Sequence, residues 1–353
     1  MITDTLSAES IRKARLDNPK MRERDLAQML DISEAQFLDA WTGQDVERVK
    51  PDFTAIFPDM SQAGEIMVLT RNESAVHEKI GWFEKFYPGK HAAMTLGENI
   101  DLRLFPKHWK YGFAVEKLVD GETRKSLQFF DEHGDAVQKL HIRPGTNVDA
   151  WEELASRLAY GDEAPPPLAI TPRPALKRER PAGKDIEGFQ QEWLAMTDTH
   201  QFAVMLKKFG VDRLSALEIA PQGYAWQLEP SAVEQMMEAS AEAELPIMCF
   251  VGNRGAIQIH SGPIKGVRRM GHWLNVLDPT FHLHLRTDHV DQVWAVRKPT
   301  DKGHVTSLEA FDAEGNLLIQ FFGKRIEGQD ERPQWRSIVE NLEGTKPPSK
   351  DAA

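Results

Sequence analysis

IMVLTRNESAVHEKIG, residues 66–81, and IMCFVGNRGAIQIHSG, residues 247–262, are two versions of one segment set 181 positions apart. Held at that offset, the chain keeps matching itself without a gap as far as Val137. Asn72 meets Asn253, Gly81 meets Gly262, and Ala114-Val115-x-Lys117 meets Ala295-Val296-x-Lys298. Ser126-Leu127 and Phe130-Asp131-x-x-Gly134 meet Ser307-Leu308 and Phe311-Asp312-x-x-Gly315. A register this long marks an internal duplication, and a duplication decides the fold before any single element is assigned.

The flanks repeat as well. Leu26-Ala27-x-Met29-Leu30 resembles Phe202-Ala203-x-Met205-Leu206, and Trp151 with its following apolar positions resembles Trp335. Between the halves, residues 164–183 carry six prolines and a short basic run. Such a stretch continues neither a helix nor a central strand, so it reads as an extended linker. The expected organisation is an N-terminal repeat over 1–163, the linker over 164–183, a C-terminal repeat over 184–345 and a tail over 346–353. Within each repeat, helices precede a set of strands and one helix closes it. Leu102 and Leu104 alternate with Asp101, Arg103 and Phe105, the period of a two-faced strand. Leu127 to Phe130, Asp131 to Gly134 and Ala136 to Leu140 read as strand, turn and strand. The expected class is α+β, a tandem duplication in which each repeat is a large antiparallel sheet flanked by helices.

Composition bounds the function. A chain of 353 residues, 41% hydrophobic and 27% charged, is an ordinary globular composition with room for two domains. A formal charge of −11 disfavours non-specific adhesion to nucleic acid or anionic membrane. Cys249 is the only cysteine, which excludes an intramolecular disulfide and a cysteine-based zinc site and fits a reducing compartment. Met1 to Ser10 lacks the apolar stretch of a signal peptide, and no apolar run approaches the roughly 20 residues of a membrane-spanning helix. The expectation is a soluble, cytoplasmic protein without membrane insertion.

In a duplicated scaffold, differences between matched residues carry the chemistry. His200 stands where the first copy has Arg24, just before the shared helix. Thr197 or Asp198 can cap that helix, and the positive end of the helix favours a neutral imidazole with a lone pair for a metal. Phe202, Met205, Leu206 and Phe209 follow at i, i+3, i+4 and i+7, a stripe that ordinarily means core. Arg103 corresponds to His284. The strand Phe281 to Arg286 sets His282, His284 and Arg286 on one face, opposite Phe281, Leu283 and Leu285. His-x-His can chelate zinc, but apart from nearby His289 no third ligand follows at a persuasive spacing, so a polar face is the better reading. Arg24 to Phe37 looks like a helix-turn-helix with Ser33 capping the second helix. That helix carries Glu34 and Asp39 and no Lys or Arg, which argues against DNA reading and leaves no nucleic-acid partner expected.

Thr197-Asp-x-His-x-Phe202, Asp101-Leu-Arg-Leu-Phe105 followed by His108-Trp109, and Gln320-x-x-Gly-x-Arg325 together resemble the hemin-degrading factor family. These are bacterial cytoplasmic proteins of haem uptake, and the resemblance runs over nearly the whole chain. It implies haem in a cleft between the domains, with His200 as axial ligand to the iron and Arg103 on the opposite face. It places Arg213, Lys298, Gln320 and Arg325 around the haem edge and propionates, and Phe105 and Phe250 in aromatic packing. Phe322 departs from the tyrosine often found in the family, which removes one hydroxyl near a propionate. The physical logic agrees: a flat apolar disc with two carboxylates needs an apolar slot, a neutral axial His and cations at the mouth.

The expected function is oxidative opening of the haem ring to release iron, with Arg103 and His200 in the catalytic roles. No Gly-rich dinucleotide fingerprint follows a strand, so electrons come from an external reductant. The alternative is a carrier that hands haem to a separate haem oxygenase. A haem-uptake transporter and a haem oxygenase are the candidate protein partners.

Overall fold

Asp131 and Asp312 open the two matched turns. Asp131 Oδ1 accepts from the backbone N–H groups of His133 and Asp135, and Gly134 N–H donates to Asp131 O at 3.0 Å. Asp312 Oδ1 accepts from Asn316 N–H, and Gly315 N–H donates to Asp312 O at 3.0 Å. Gly134 and Gly315 adopt φ of 73° and 89°, a region where a side chain is strained. The same short-range chemistry thus builds the same hairpin twice.

The computed structural model describes residues 6–178, 185–325 and 332–344. The end of the expected linker (179–183), the tail (346–353) and the start of the Met1 to Ser10 segment lie outside the described residues. In chain order the first elements are α1 (Ala8–Asp17), α2 (Glu23–Met29), α3 (Glu34–Asp39), β1 (Val46–Val49), α4 (Phe53–Ile56), β2 (Gly64–Arg71) and β3 (Ala75–Gly81). Then come β4 (Lys85–Tyr87), β5 (Ala93–Leu96), β6 (Asp101–Leu104), β7 (Tyr111–Val119), β8 (Glu122–Phe130), β9 (Ala136–Thr146) and α5 (Val148–Leu158). After the linker follow α6 (Ile186–Leu194), α7 (Gln201–Phe209), α8 (Arg213–Glu218), β10 (Ala225–Leu228), α9 (Ala232–Glu242), β11 (Ile247–Gly252) and β12 (Ala256–Gly262). The last are β13 (Val267–Met270), β14 (Trp273–Leu277), β15 (Phe281–Arg286), β16 (Gln292–Thr300), β17 (Gly303–Phe311), β18 (Leu317–Gly323) and α10 (Pro333–Glu340). The strands are divided between two nine-stranded sheets, and the fold is α+β.

The chain forms two units. One takes in the described residues up to Asn72, His77–Arg173 and Gly252–Gln258; the other takes in Glu73–Val76, Pro174–Val251 and the described residues from Ile259 on. In the first unit β1, β7, β8, β9 and β2 are antiparallel neighbours in that order, with Val115, Ser126, His141 and Met67 abreast across four strands. On one face Ile66, Val68, Leu127, Phe129 and Leu140 cluster with Trp151, Leu154 and Leu158 of α5. On the other, Phe113, Val115 and Phe130 receive Leu26, Ala27, Phe37 and Leu38 from α2 and α3. Each such fully buried Leu or Phe stabilises the unit by about 1.5–3 kcal/mol.

Ser33 starts α3 with a capping box: its hydroxyl accepts from Gln36 N–H, and Gln36 Oε1 accepts from Ser33 N–H. Glu34, Ala35, Phe37 and Leu38 of this helix are buried. The helix a DNA-binding motif would present to a groove is therefore core.

The second unit repeats the plan. Strands β10, β16, β17, β18 and β11 are antiparallel neighbours, and Val296, Ser307, Phe322 and Met248 stand abreast. Met236, Ile247, Leu308, Phe321, Trp335 and Val339 share a core that includes α9 and α10. Opposite it, Phe189, Trp193, Phe202, Met205 and Leu214 cluster with Val296 and Phe311, with Leu206 and Phe209 packed against them. The apolar stripe of α7 is core, as its spacing suggested. In β15, Phe281, Leu283 and Leu285 are buried while His282, His284 and Arg286 are half-buried. His284 Nδ1 lies 2.6 Å from Asn275 Oδ1. Among the described residues no three His, Cys, Asp or Glu side chains gather to hold a metal ion, and no helix is long and apolar enough to cross a membrane.

Candidate functional site

Helix α7 begins at Gln201, which makes His200 its N-cap in place of the expected Thr197 or Asp198. Asp198 acts one step earlier. Its Oδ1 accepts from His200 N–H at 2.7 Å and stands 2.6 Å from His200 Nδ1. Those two hydrogen bonds, the backbone one first, hold the Asp198 carboxyl below the usual range. Gln201 Oε1 accepts from the N–H groups of Thr197 and Asp198, which ties the loop to the helix. A ring whose Nδ1–H donates to a carboxylate carries its lone pair on Nε2. With the His200 side chain 94% exposed, that lone pair is open to a ligand.

Two residues on, the buried Phe202 ring lies under two cations: the Arg213 guanidinium 5.2 Å from its centroid and Lys298 Nζ at 4.9 Å. Both cations grip Glu309, which is fully buried. Arg213 donates through Nε at 2.6 Å and Nη2 at 2.9 Å, and Lys298 Nζ donates at 2.7 Å. Ser307 donates to the same carboxylate at 2.8 Å. Burial pushes the Glu309 carboxyl up, but Arg213 and Lys298 outweigh it and hold the group ionised, well below its ordinary value. Burial pulls Lys298 down to about 8, with Glu309 working against that. The cluster therefore holds two cations on one carboxylate, a local excess of positive charge.

One ladder step along, Glu309, Gln320 and Phe250 stand abreast on β17, β18 and β11. Gln320 Nε2 is buried and has no hydrogen-bond partner among the described residues. Phe250 packs edge-on against Phe322, with centroids 5.1 Å apart. Arg325, exposed just beyond β18, contributes to the field that lowers Asp198. The second unit thus contains His200, Arg213, Phe250, Lys298, Gln320 and Arg325.

Arg103 and Phe105 belong to the first unit. Arg103 is held by Asp101 and by the carbonyl of Leu102, with about a third of its side chain exposed. Phe105, at the end of β6, is half-buried, and its backbone N–H donates to Gly255 O at 2.9 Å.

The chain matches the family described as the haemin-degrading HemS.ChuX domain, over residues 31–158 and again over 210–342. It belongs to that family. The two matched stretches fall one in each repeat. The hemin transport protein HemS of Yersinia enterocolitica is 37% identical over 335 residues, covering 95% of this chain and 96% of its own. Among solved structures, holo-PhuS, a heme-binding protein from Pseudomonas aeruginosa, superposes with a TM-score of 0.91 at 37% identity, over 96% of this chain and 98% of that one. ChuS, an E. coli heme oxygenase, gives a TM-score of 0.84 at 36% identity, over 93% and 98%.

Sequence reasoning passed over Glu309, the residue that fixes the buried Lys298 and the half-buried Arg213. The signal was present. In the gap-free register Glu309 falls on Gln128, a change of charge two residues from the matched pair Ser126 and Ser307.

Proposed function

We propose that this protein is a cytoplasmic haem-binding protein of haem uptake that holds the iron through His200 Nε2 and opens the ring oxidatively to free it. The observation that carries this reading is the exposed His200 ring, its Nδ1 tied to Asp198, beside a cation-rich wall. Its relatives support it, being named for hemin transport, heme binding and heme oxygenase activity.

Arg213 spends Nε and Nη2 on Glu309, which leaves Nη1 to donate to a propionate. Gln320 Nε2 supplies a neutral donor and Arg325 an exposed cation at the same edge. Lys298, 3% exposed, acts through its charge. Phe105 and Phe250 offer apolar faces to the disc. Arg103 is always charged and favours the negative charge that develops on oxygen as it is reduced. Electrons come from an external reductant.

The test is a haem titration followed by reductant in air, with catalase in a parallel sample. A saturable Soret band that decays to a bilin-like spectrum with iron release, catalase included, is the expected result. His200→Ala should shift the Soret band and weaken binding about tenfold or more, in line with loss of an axial ligand. Arg103→Ala should leave binding largely intact and slow decay. An unchanged spectrum in His200→Ala sinks the ligand assignment. The near-complete exposure of His200 favours a second reading, a carrier that exchanges haem with a transporter or a separate haem oxygenase. A Soret band that persists under reductant selects it.

A further inference from the structure

The sheet face that carries Lys298 and Ser307 in the second unit has a counterpart in the first, and there it opens on a cavity of about 750 Å³. The row Val115, Ser126, His141, Met67 matches Val296, Ser307, Phe322, Met248 strand for strand, and Lys117 matches Lys298. Three differences change what this face can hold. Gln128 replaces Glu309, so the strand carries no carboxylate at this position, and the buried carboxylate of this unit, Glu34, takes Arg71 and Lys139 instead. His141 replaces Phe322. Arg24 replaces His200, and an arginine does not ligate iron.

The floor of the cavity offers hydrogen-bond acceptors. Gln128 is 6% exposed; its amide nitrogen donates to Ser126 Oγ, and its Oε1 is buried with no partner among the described residues. His141 lines the same floor without a hydrogen bond among the described residues, and burial first, then Lys139, pull it down to about 4, so the ring is neutral with a lone pair to offer. Met67 and Val115 make the walls apolar. At the rim, the exposed Arg124 and Arg143 guanidinium groups have no carboxylate partner among the described residues, whereas Lys117 is taken by Glu23 and Lys125 by Glu116 and Glu152. Glu122 is the one acidic rim residue not held by a lysine.

We propose that this cavity is a second ligand site, one that takes an iron-free tetrapyrrole dicarboxylate. Its two carboxylates meet Arg124 and Arg143, its apolar body fills the cavity, and its pyrrole N–H groups donate to Gln128 Oε1 and His141. Haem lacks those N–H groups, because iron has displaced them. The cavity volume lies within the range of sites for ligands of this size. A closed macrocycle turns its N–H groups towards its own centre, whereas the ring-opened form can turn them outward, so the ring-opened form is the occupant these acceptors favour. The site does not depend on turnover at His200.

The experiment titrates full-length protein with protoporphyrin IX and, separately, with biliverdin, both apo and after loading with one equivalent of haem. Expected is about one equivalent of iron-free ligand bound in either state, weakened tenfold or more by Arg124→Ala/Arg143→Ala, a size consistent with losing two charge-assisted contacts. The haem Soret titration should be unchanged in that variant. His141→Phe, which installs the residue of the other repeat, should weaken binding without loss of fold. Biliverdin should bind more tightly than protoporphyrin IX, and the reverse order would overturn the role given to Gln128 and His141. Competition by the single haem equivalent, insensitivity to the arginine pair, or tighter binding of haem than of iron-free ligand in a manner that His141→Phe abolishes would each overturn the proposal. Failure of haem to bind at all would defeat the His200 reading and leave the apo titrations to decide this one.

Discussion

Helix α3 begins with Glu34 and helix α8 with Arg213, each the first residue after a capping side chain, Ser33 in one and Asp212 in the other. In the first unit the helix supplies the carboxylate and the strands the cations: Arg71 and Lys139 both pair with Glu34. In the second the helix supplies the cation and the strand the carboxylate, Glu309. A carboxylate suits the positive end of a helix and a guanidinium does not. The first arrangement is what local electrostatics favours; the second holds an arginine where the backbone opposes it. The sign is inverted in the unit that carries His200, and that inversion agrees with the proposed binding of an anionic ligand edge there.

The largest test of that contrast is Glu309→Gln. It strands Lys298, 3% exposed, beside Arg213, and should destabilise the protein by about 3–5 kcal/mol, read as a lowered urea midpoint. Glu34→Gln should cost roughly half as much, because Arg71 and Lys139, at 11% and 14% exposed, can turn towards water. Equal costs would mean the inversion is energetically indifferent. Glu34 also predicts a pH dependence. Burial raises its pKa, Arg71 and Lys139 more than reverse this, and the group titrates at about 2 against an ordinary 4.5. Its contribution is complete above pH 4.5 and is lost as pH falls towards 2. The gap between wild type and Glu34→Gln should therefore narrow as pH falls from 4.5 towards 2, and a constant gap would contradict the ion pairing.

The matched turns give a smaller contrast. A Cβ on Gly134 would come within 2.5 Å of the side chain of Ser33, whereas on Gly315 it would meet the flexible Arg178 at 3.1 Å. Both alanine variants accept strained φ at about 1 kcal/mol, and Gly134→Ala should lose roughly another 1 kcal/mol through the disturbed cap. Thermal shift measurements on the two variants decide it, and equal shifts would mean Ser33 moves freely. Smallest of all, Gln320→Leu should change stability by less than about 1 kcal/mol, since Nε2 has no partner to lose, while haem affinity falls a few-fold. A large loss of stability would show that the amide is structurally engaged.

The duplication, the hairpin at Asp131 to Gly134, the two faces of β15 and the Ser33 cap were all legible in the sequence, because each is written in local spacing. Arg213 and Lys298 were singled out through the family resemblance. Their joining through Glu309 was not. Arg213 and Glu309 lie 96 residues apart, and only the pairing of β17 with β16 and the seating of α8 bring them within a hydrogen bond. The cap of α7 was misjudged by two or three residues for a similar reason. Asp198 has the chemistry of a cap, but its carboxylate is already committed to His200. The cavity of the first unit was invisible because the residues that shape it, such as Gln128 and Arg143, are unremarkable until strands place them side by side.

Residues 252–258 sit in the first unit although the chain reaches them only after the linker and much of the second repeat. Asn253 donates to the carbonyls of Arg71 and Val137, Trp109 and Phe105 donate to Gly255 O, and Gln258 donates to Val68 O. During synthesis the first unit has all its other residues once Arg173 is made, and then lacks these partners until Gln258 emerges. At roughly 5–20 residues per second that interval is on the order of 5 to 15 seconds, in which the backbone groups they will satisfy wait on the ribosome's progress.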